Sequence, residues 1–316
     1  MPDSFAHRPL ELACALKLDT DLLLQAAAQA AGAQQYPAGT LYLVATPIGN
    51  LADITLRAIH VLARVDAVAC EDTRVSGQLL RHLGLDKPLL PVHRHNEREG
   101  AARVLERLAR GESVAYVSDA GTPVISDPGA TVVAAAAAQG HRVVPIPGAS
   151  AMAAALSVCG DEQGTAFHFT GFLPAKGAER QSALVAAADA ASTQVLFEAP
   201  HRILALAQAL AARVPQRRIT LGRELTKQFE TVATMACEDL PAWLAADSHR
   251  ERGEFVLVLH AQAPSPAADG LPSDIERTLT ILMRDLPLKQ AVSMAAELTG
   301  AARNALYERA LALRGS

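Results

Sequence analysis

The stretch SVAYVSDAGTPVISDPG, residues 113–129, joins a short apolar strand to a loop rich in glycine, proline and aspartate. The apolar residues up to Val117 predict a buried strand, because the strands of a parallel sheet are covered on both faces. Two glycines and two prolines within residues 118–129 predict an unusual backbone path, since glycine permits positive φ and close ligand approach. Ligands bind outside the carboxyl ends of strands in open parallel sheets, so we expect this loop to form part of a binding site.

Short apolar strands alternate with helical stretches on both sides of this loop. Strands are predicted at residues 41–46, 67–70, 89–92, 113–118 and 142–145, and helices at 53–64, 76–83, 97–110 and from 130 onward. Near-continuous apolar strands separated by helices predict a parallel sheet with helices on both faces.

A second unit of strands and helices follows the first. Its strands are predicted at residues 167–171, 193–197, 219–222, 231–235 and 255–260. Two of these strands follow each other without a helix between them, which predicts a mixed sheet.

The predicted fold class is therefore α/β, with a parallel-sheet domain and a mixed-sheet domain followed by a small helical module. The predicted divisions are an N-terminal helical extension (1–38), a first α/β domain (39–160), a second α/β domain (161–262), and a Pro/Ala linker with a helical C-terminal module (263–316). Two helices with Gly300 at their turn make a helix-turn-helix one interpretation of that module.

Composition narrows the function classes. The chain has 316 residues, 50% of them hydrophobic and 20% charged, so a sizeable core can form and global disorder is excluded. The formal net charge of −4 weighs against a non-specific nucleic-acid binder, which is usually basic. Residues 74–110 nevertheless carry eight Arg or Lys against four Asp or Glu, a local net charge of +4.

Cysteine usage and hydropathy indicate the compartment. The four cysteines form no CxxC pair, which predicts reduced, mostly buried thiols in a cytoplasmic protein. No apolar run approaches the length that spans a bilayer, and the N-terminus lacks the pattern of a signal peptide, so we expect no membrane contact. His93, His95 and Asn96 are a weak metal-ligand pattern, and we expect no metal centre.

The loop TPIGNLADIT, residues 46–55, occupies the position of a phosphate-binding fingerprint after the first strand. It contains neither GxGxxG nor GxxxxGK[ST], whereas a nucleotide phosphate needs a glycine-rich nest of N–H groups. A phosphate-free ligand such as S-adenosylmethionine instead needs carbonyls, a carboxylate and apolar walls. The alternative for this loop is a tight turn with Asp53 as a helix N-cap. For the loop at 118–129, the alternative is an ordinary loop whose Asp and Ser residues only cap the following helix.

Polar side chains follow two further strands of the first sheet. The segments EDTR (71–74) and HRHNE (93–97) would project from the same sheet edge and supply acid, base and phosphate-binding groups. The alternative interpretation makes Asp72 and Asn96 helix caps and pairs Arg74 with Glu71. In the second unit, FEAPHR (197–202), RELTKQFE (223–230) and RGEFVLVL (252–259) either line a cleft between the units or form salt bridges there.

Seven segments together carry a family resemblance. TPIGN, EDTR, SDAGTPxISDPG, PGAS (147–150), GFLP (171–174), FExPHR and RELTKxFE occur in the order seen in the bacterial small-subunit rRNA 2′-O-methyltransferases that act on cytidine. This family belongs to the tetrapyrrole-methylase superfamily, and the resemblance covers residues 39–260 and continues into the tail. It implies S-adenosylmethionine in the cleft between two α/β domains, a cytidine in the decoding region of 16S rRNA within the small ribosomal subunit as substrate, and a homodimer.

The resemblance and the chemistry of the segments together suggest roles for individual residues. Cofactor binding is expected from Pro47, Ile48, Gly49, Asp119, Ala120, Gly121, Thr122, Ser126, Asp127, Ala149, Ser150, Gly171 and Phe172. Catalysis is expected from Glu71, Asp72, Arg74, His95, Asn96 and Glu198, with the general base left open among Glu71, Asp72, His95 and Glu198. RNA binding is expected from Arg74, Arg94, Arg202, Lys227, Lys289 and Arg303. Arg94 departs from the family, whose members usually carry an acidic residue there.

Two other functions compete with this interpretation. A C-methyltransferase of tetrapyrrole precursors shares the fold, but FEAPHR, RELTKQFE and the helical tail favour the rRNA branch. A non-catalytic ribosome-assembly factor of the same fold would not need the cofactor loops, which are intact here.

Overall fold

The computed structural model describes residues 19–93, 96–262 and 273–314. Two residues expected at the site, Arg94 and His95, lie outside the described residues, as do the linker at 263–272 and the first 18 residues of the extension. The chain forms two compact units, one up to His260 and one from Ala261 onward. The first unit contains both β-sheets.

The first sheet is entirely parallel, as the sequence predicts. Its strands are β1 (Thr40–Val44), β2 (Ala67–Cys70), β3 (Leu89–Pro91), β4 (Val114–Val117) and β5 (Arg142–Ile146). They lie in the order β3-β2-β4-β1-β5. Because β1 and β4 are neighbours, the loops after them lie side by side at the carboxyl edge, where such sheets bind ligands.

The helices of the first domain cover this sheet. They are α1 (Thr20–Ala31), α2 (Leu56–Arg64), α3 (Thr73–His82), α4 (Glu97–Ala109), α5 (Ala130–Ala138) and α6 (Ala151–Val158). Helix α1 falls within the predicted N-terminal extension, and its buried Ala27 joins the core formed around Ile59 and Leu62 of α2. The described part of the extension is therefore packed onto the first domain.

Two helix starts differ from the sequence prediction. Asp53 does not cap a helix: residues Leu51–Asp53 form a 3-10 turn whose first N–H groups are satisfied by Asn50. Helix α2 begins only at Leu56, because the Thr55 hydroxyl accepts a hydrogen bond from Ala58 N. Helix α3 begins at Thr73, earlier than predicted, because the Asp72 carboxylate caps it through Arg74 N.

The second sheet is mixed, again as predicted. Its strands are β6 (Phe167–Phe172), β7 (Thr193–Glu198), β8 (Arg218–Arg223), β9 (Thr231–Ala236) and β10 (Phe255–Leu259), in the order β6-β7-β10-β8-β9. Only β6 and β7 pair in parallel. Helices α7 (Gly177–Asp189), α8 (Ile203–Arg213) and α9 (Leu240–Ala245) pack on it.

Three of the four cysteines are described, and all three are buried free thiols. Burial raises the pKa of Cys70, and raises that of Cys237 to about 11. A thiol with a raised pKa is a weak nucleophile, so these side chains serve the core, as predicted.

The C-terminal unit consists, in its described part, of α10 (Ser273–Asp285), α11 (Leu288–Thr299) and α12 (Arg303–Arg314). Leu279, Val292 and Leu306 belong to its own core. Gly300 ends α11 in the left-handed region at φ 71°, so the predicted turn between the last two helices is confirmed. No helix of the described chain is long and apolar enough to cross a membrane.

Candidate active site

A cavity of about 450 Å³ lies between the two α/β domains. Most of the residues expected to bind the cofactor line it, namely Ile48, Asp119, Ala120, Gly121, Thr122, Ser126, Asp127, Ser150 and Phe172. Pro47, Gly49, Ala149 and Gly171 are absent from its lining. The cavity is also lined by Glu71 from the end of β2 and by Glu198 and Glu254 from the second domain.

The first wall of this cavity consists of the loops after β1 and β4, which pair directly. Thr46 and Gly121 exchange both backbone hydrogen bonds, at 2.9 and 3.1 Å between N and O. The Thr46 hydroxyl also donates to Ser118 O at 3.2 Å. The segments TPIGN and SDAGTPVISDPG thus form one joined surface, although they are more than 70 residues apart in sequence.

The backbone of the second loop is strained. Val124 and Ser126 have φ values of 73° and 69°, a left-handed conformation that β-branched residues in particular avoid. Such strain persists only where the surroundings impose it, and it clusters at functional sites. Three contacts hold the end of this loop: the Tyr116 hydroxyl donates to Pro128 O at 2.8 Å, and Glu97 Oε1 accepts from Gly129 N and Thr131 N.

Gly171 brings the second domain close to this loop. It adopts φ 66°, and a methyl group added to it would lie 2.7 Å from Ser126 Oγ. The pairing of β6 with β7 shifts register between Phe169 and Gly171, and the following Phe172 lines the cavity. Gly171 therefore permits a close approach instead of lining the cavity.

The second wall contains a buried ion-pair cluster centred on Glu198. The Glu198 side chain is fully buried and accepts from Arg180 at 3.0 Å, from Arg202 Nε at 2.6 Å and from Ala199 N at 2.9 Å. Arg202, expected to bind a phosphate, is turned toward this carboxylate. Glu198 thus both lines the cavity and forms the salt bridges of the alternative interpretation, whereas Arg202 forms the salt bridge and is absent from the lining.

The carboxyl end of β2 places Glu71 in the cavity and Asp72 beside it. Asp72 N donates to Asp119 Oδ1 at 3.1 Å, while the Asp72 carboxylate binds Arg74 through Nε and Nη2. These hydrogen bonds from Arg74 lower the pKa of Asp72 to about 2. The pairing of Arg74 with Glu71, offered as an alternative, is wrong: its partner is Asp72.

Asn96 closes the turn after β3. Its side-chain oxygen accepts from His93 N at 2.8 Å and its amide donates to Pro91 O at 3.1 Å. It occupies the N-cap position of α4, as the alternative interpretation has it, but its side chain makes no capping hydrogen bond. The structure places it in a local structural role next to the site.

The charges and walls of the cavity suit a cationic ligand with apolar parts. Glu71, Asp119, Asp127 and Glu254 present carboxylates, and Ile48, Ile125, Met152, Phe172, Phe197, Leu225 and Val256 present apolar surface. Among the described residues, no three His, Cys, Asp or Glu side chains are grouped as a metal ion would require.

Two protein-family models match this chain. Residues 40–241 match the model of the Tetrapyrrole (Corrin/Porphyrin) Methylases, and residues 269–314 match that of the RsmI C-terminal HTH domain. The chain belongs to the tetrapyrrole methylase family. This membership agrees with the resemblance read from the seven sequence segments.

Relatives within the family cover nearly the whole chain. A protein of Pseudomonas aeruginosa named Ribosomal RNA small subunit methyltransferase I is 49% identical over 88% of this chain and 99% of its own length. Proteins of the same name from Neisseria meningitidis serogroup B and Escherichia coli O157:H7 are 47% and 44% identical, over 86% and 88% of this chain and 93% and 96% of theirs. The chain is therefore a member of the branch that carries this name.

Solved tetrapyrrole methylase structures share the fold. The methyltransferase CobJ matches with a TM-score of 0.55 at 20% identity, over 72% of this chain and 95% of that one. Diphthine synthase matches with a TM-score of 0.55 at 17% identity, over 70% of this chain and 90% of that one. At such identities the likeness concerns the fold alone.

Several cavity residues were not identified from the sequence as site residues of this family. Phe197, Leu225 and Val256 carry no charge of their own and read as ordinary core positions. One signal was available for all three: each lies inside a segment, FEAPHR, RELTKQFE or RGEFVLVL, whose charged members were already placed at the cleft.

Proposed function

We propose that this chain is an S-adenosylmethionine-dependent methyltransferase acting on the ribose 2′-hydroxyl of a cytidine in the decoding region of 16S rRNA. The substrate would be the small ribosomal subunit, and the enzyme would act in the cytoplasm as a homodimer. The names of the relatives support an rRNA substrate. The cavity between the joined loops and the second sheet carries the proposal, because its residues suit this methyl donor.

The fit of the donor rests on charge and shape. S-adenosylmethionine has a sulfonium and an ammonium, which Asp119 and Asp127 can balance, and an adenosine that the apolar walls can cover. When bound, it supplies a methyl group activated by the positive sulfur. The cavity volume of about 450 Å³ is in the usual range of small-molecule sites, ~300–1,000 Å³. One solved relative of the fold, uroporphyrin-III C-methyltransferase from Thermus thermophilus, was crystallised with S-adenyl homocysteine.

Within this proposal Glu71 is the general base. It lines the cavity directly after the end of β2, and a carboxylate is a residue type that accepts such a proton. The carboxylate would take the proton from the attacking 2′-hydroxyl, and the remaining duty of the protein is orientation, which contributes roughly 7–11 kcal/mol in favourable cases.

The Glu71→Gln variant tests the base. We expect kcat to fall about 10²–10⁴-fold, the usual contribution of a general base, with little change in the affinity for S-adenosylmethionine. Glu179→Gln is the matched control, because Glu179 is exposed on α7, outside the cavity and outside the basic stretch 74–110. An unchanged kcat in Glu71→Gln would exclude Glu71 as the base.

The function itself is tested by transfer of labelled methyl from S-adenosylmethionine to purified small subunits that lack the modification. Label on the ribose of a cytidine supports the proposal. Label on a tetrapyrrole precursor offered in parallel identifies the alternative C-methyltransferase, and subunit binding without any transfer identifies a non-catalytic assembly factor.

The RNA would approach the basic stretch 74–110, where the Arg74 side chain is 89% exposed despite its pairing with Asp72. In the C-terminal unit, Lys289 is exposed and Arg303 donates to Ser293 Oγ at 3.0 Å, and both remain proposed RNA contacts.

Self-association is supported by apolar side chains at the surface of the second domain, among them Phe167 on the edge strand β6. Sedimentation velocity measures the oligomeric state.

A further inference from the structure

Gly49, at the end of the loop after β1, is covered by a lysine of the other domain. A methyl group added to Gly49 would overlap Lys227 Cγ, and would lie 3.1 Å from Lys227 Cε and 3.0 Å from Thr226 Oγ1. The aliphatic stem of Lys227 thus occupies the space that a side chain at position 49 would need. The contact joins the TPIGN segment of the first domain to the RELTKQFE segment of the second.

The ammonium end of Lys227 is held in place. Its Nζ donates to Glu224 Oε1 and to Glu254 Oε2, both at 2.9 Å. Burial alone would lower the pKa of Lys227, but these two hydrogen bonds outweigh it and the pKa is raised. The stem therefore cannot withdraw from Gly49 without breaking both of these hydrogen bonds.

Glu224 is itself fixed from two sides. Its Oε1 also accepts from Glu254 N at 2.9 Å, and its side chain packs on Gly253, where a methyl group would lie 2.6 Å from Glu224 Cδ. Glu224 and Thr226 both have positive φ, 52° and 68°, so the turn that carries Lys227 is strained. Such a turn persists because the side-chain contacts around it impose it.

This contact lies beside both walls of the cavity. Ile48, next to Gly49, and Leu225, two residues before Lys227, both line it, and so does Glu254. The contact between Gly49 and Lys227 is therefore placed to influence the separation of these walls.

We propose that Gly49 and Lys227 form an interdomain latch that sets the width of the cavity, and that Lys227 is a positioning residue. This reassigns two residues for which the sequence suggested direct ligand contacts, Gly49 to the cofactor and Lys227 to RNA. The inference rests on the proposed function, because it takes the cavity to be the methyl-donor site.

The test is a double-mutant cycle with Gly49→Ala, Lys227→Ala and the combined variant. The affinity for S-adenosylmethionine is measured by calorimetry, KM and kcat by methyl transfer to small subunits, and stability by urea unfolding. We expect Gly49→Ala alone to weaken binding and raise KM about tenfold or more, since it overpacks a contact that cannot relax. In the Lys227→Ala background, Gly49→Ala should weaken binding and raise KM about threefold or less, because removal of the lysine stem leaves room for the methyl group.

Two further readouts separate positioning from other roles. Lys227→Arg retains the stem and the charge, and should restore a KM for S-adenosylmethionine within about threefold of the wild type. Lys227→Ala should leave the salt dependence of subunit binding unchanged, whereas loss of a phosphate contact lowers the slope by about one. Lys176→Ala, an exposed lysine at the start of α7, is the control.

The latch is overturned if Gly49→Ala has the same effect in the wild-type and Lys227→Ala backgrounds. It is also overturned if Gly49→Ala lowers kcat while KM and the affinity for S-adenosylmethionine stay constant, or if Lys227→Ala lowers the salt dependence of subunit binding. Failure of the proposed function looks different. If the wild-type protein binds S-adenosylmethionine but methylates no RNA, the proposed function is refuted. The latch is then still tested by the coupling between Gly49→Ala and Lys227→Ala in the affinity for S-adenosylmethionine. If the wild type does not bind the donor at all, the coupling of residues 49 and 227 in urea unfolding tests the contact.

Discussion

Glu97 shows how one side chain outside the cavity stabilises a loop that lines it. Helix α5 begins after Gly129, which has no side chain to cap it, and Glu97 Oε1 accepts from Gly129 N at 2.9 Å and Thr131 N at 3.2 Å instead. The hydrogen bond from Gly129 N is the main reason that the pKa of Glu97 lies below its ordinary value of 4.5. The sequence alone suggested HRHNE as a catalytic segment. It did not indicate the cap role of Glu97, because the residue that Glu97 caps lies 32 residues further along the chain.

The cap gives a prediction with a definite sign. Because the pKa of Glu97 is lowered in the folded state, its stabilising effect is present above about pH 4.5 and is lost as the pH falls through the lowered value. At pH 7 we expect Glu97→Ala to cost about 1 kcal/mol in the free energy of unfolding, as for other lost N-caps. Glu97→Gln should cost less, because its amide oxygen still accepts both bonds.

Urea unfolding at pH 7 and at pH 3 measures these differences. The gap between the wild type and Glu97→Ala should shrink at the lower pH. Glu99→Ala, which removes an exposed carboxylate from the same helix, is the control. A gap that does not change with pH would show that the carboxylate does not act as the cap.

At the scale of elements, the strands were predictable and several loop conformations were not. Strands such as Val114–Val117 are apolar and fully buried, so their pattern is visible in the sequence. The starts of α2 and α3 depend on which of several neighbouring Asp, Asn and Thr side chains accepts a hydrogen bond from the free backbone N–H groups of the first turn. Positive φ at Val124 and Thr226 runs against residue preference and follows only from tertiary contacts.

The β6 bulge at Gly171 provides a test at this scale. Gly171→Ala introduces two costs, a disfavoured positive φ of 66° and a methyl group 2.7 Å from Ser126 Oγ. Gly160→Ala shares only the first cost, since Gly160 has φ 64° and open space around it. We therefore expect Gly171→Ala to lower the melting temperature more than Gly160→Ala does, and to weaken S-adenosylmethionine binding, which Gly160→Ala should not.

Thermal unfolding and calorimetry of both variants provide the comparison. Adding Ser126→Ala should recover part of the loss in Gly171→Ala, because the hydroxyl is the contacting group. Equal losses in the two glycine variants would mean that backbone strain alone matters and that the close approach of β6 to the loop does not.

At the scale of the molecule, the two sheets place their functional ends on a common cavity. The carboxyl ends of β1, β2 and β4 and the ends of β7 and β10 all supply lining residues. The sequence predicted this convergence, because ligands bind at the carboxyl edge of a parallel sheet. It did not predict which charged residues would pair with each other, since Arg180 and Glu198, or Lys227 and Glu254, meet only after the second domain has folded.

The distribution of charge along the chain bears on RNA binding. The chain is acidic overall, yet residues 74–110 are locally basic, so RNA affinity should depend on where a charge is removed and not only on how many. Arg74→Ala with Arg94→Ala should lower the slope of log affinity against log salt for small subunits by about 0.7–0.9 per lost phosphate contact. Arg142→Ala with Arg218→Ala removes the same charge from strand starts away from the cavity. If both pairs reduce the slope equally, net charge explains the binding, and the basic stretch is not the RNA-facing surface.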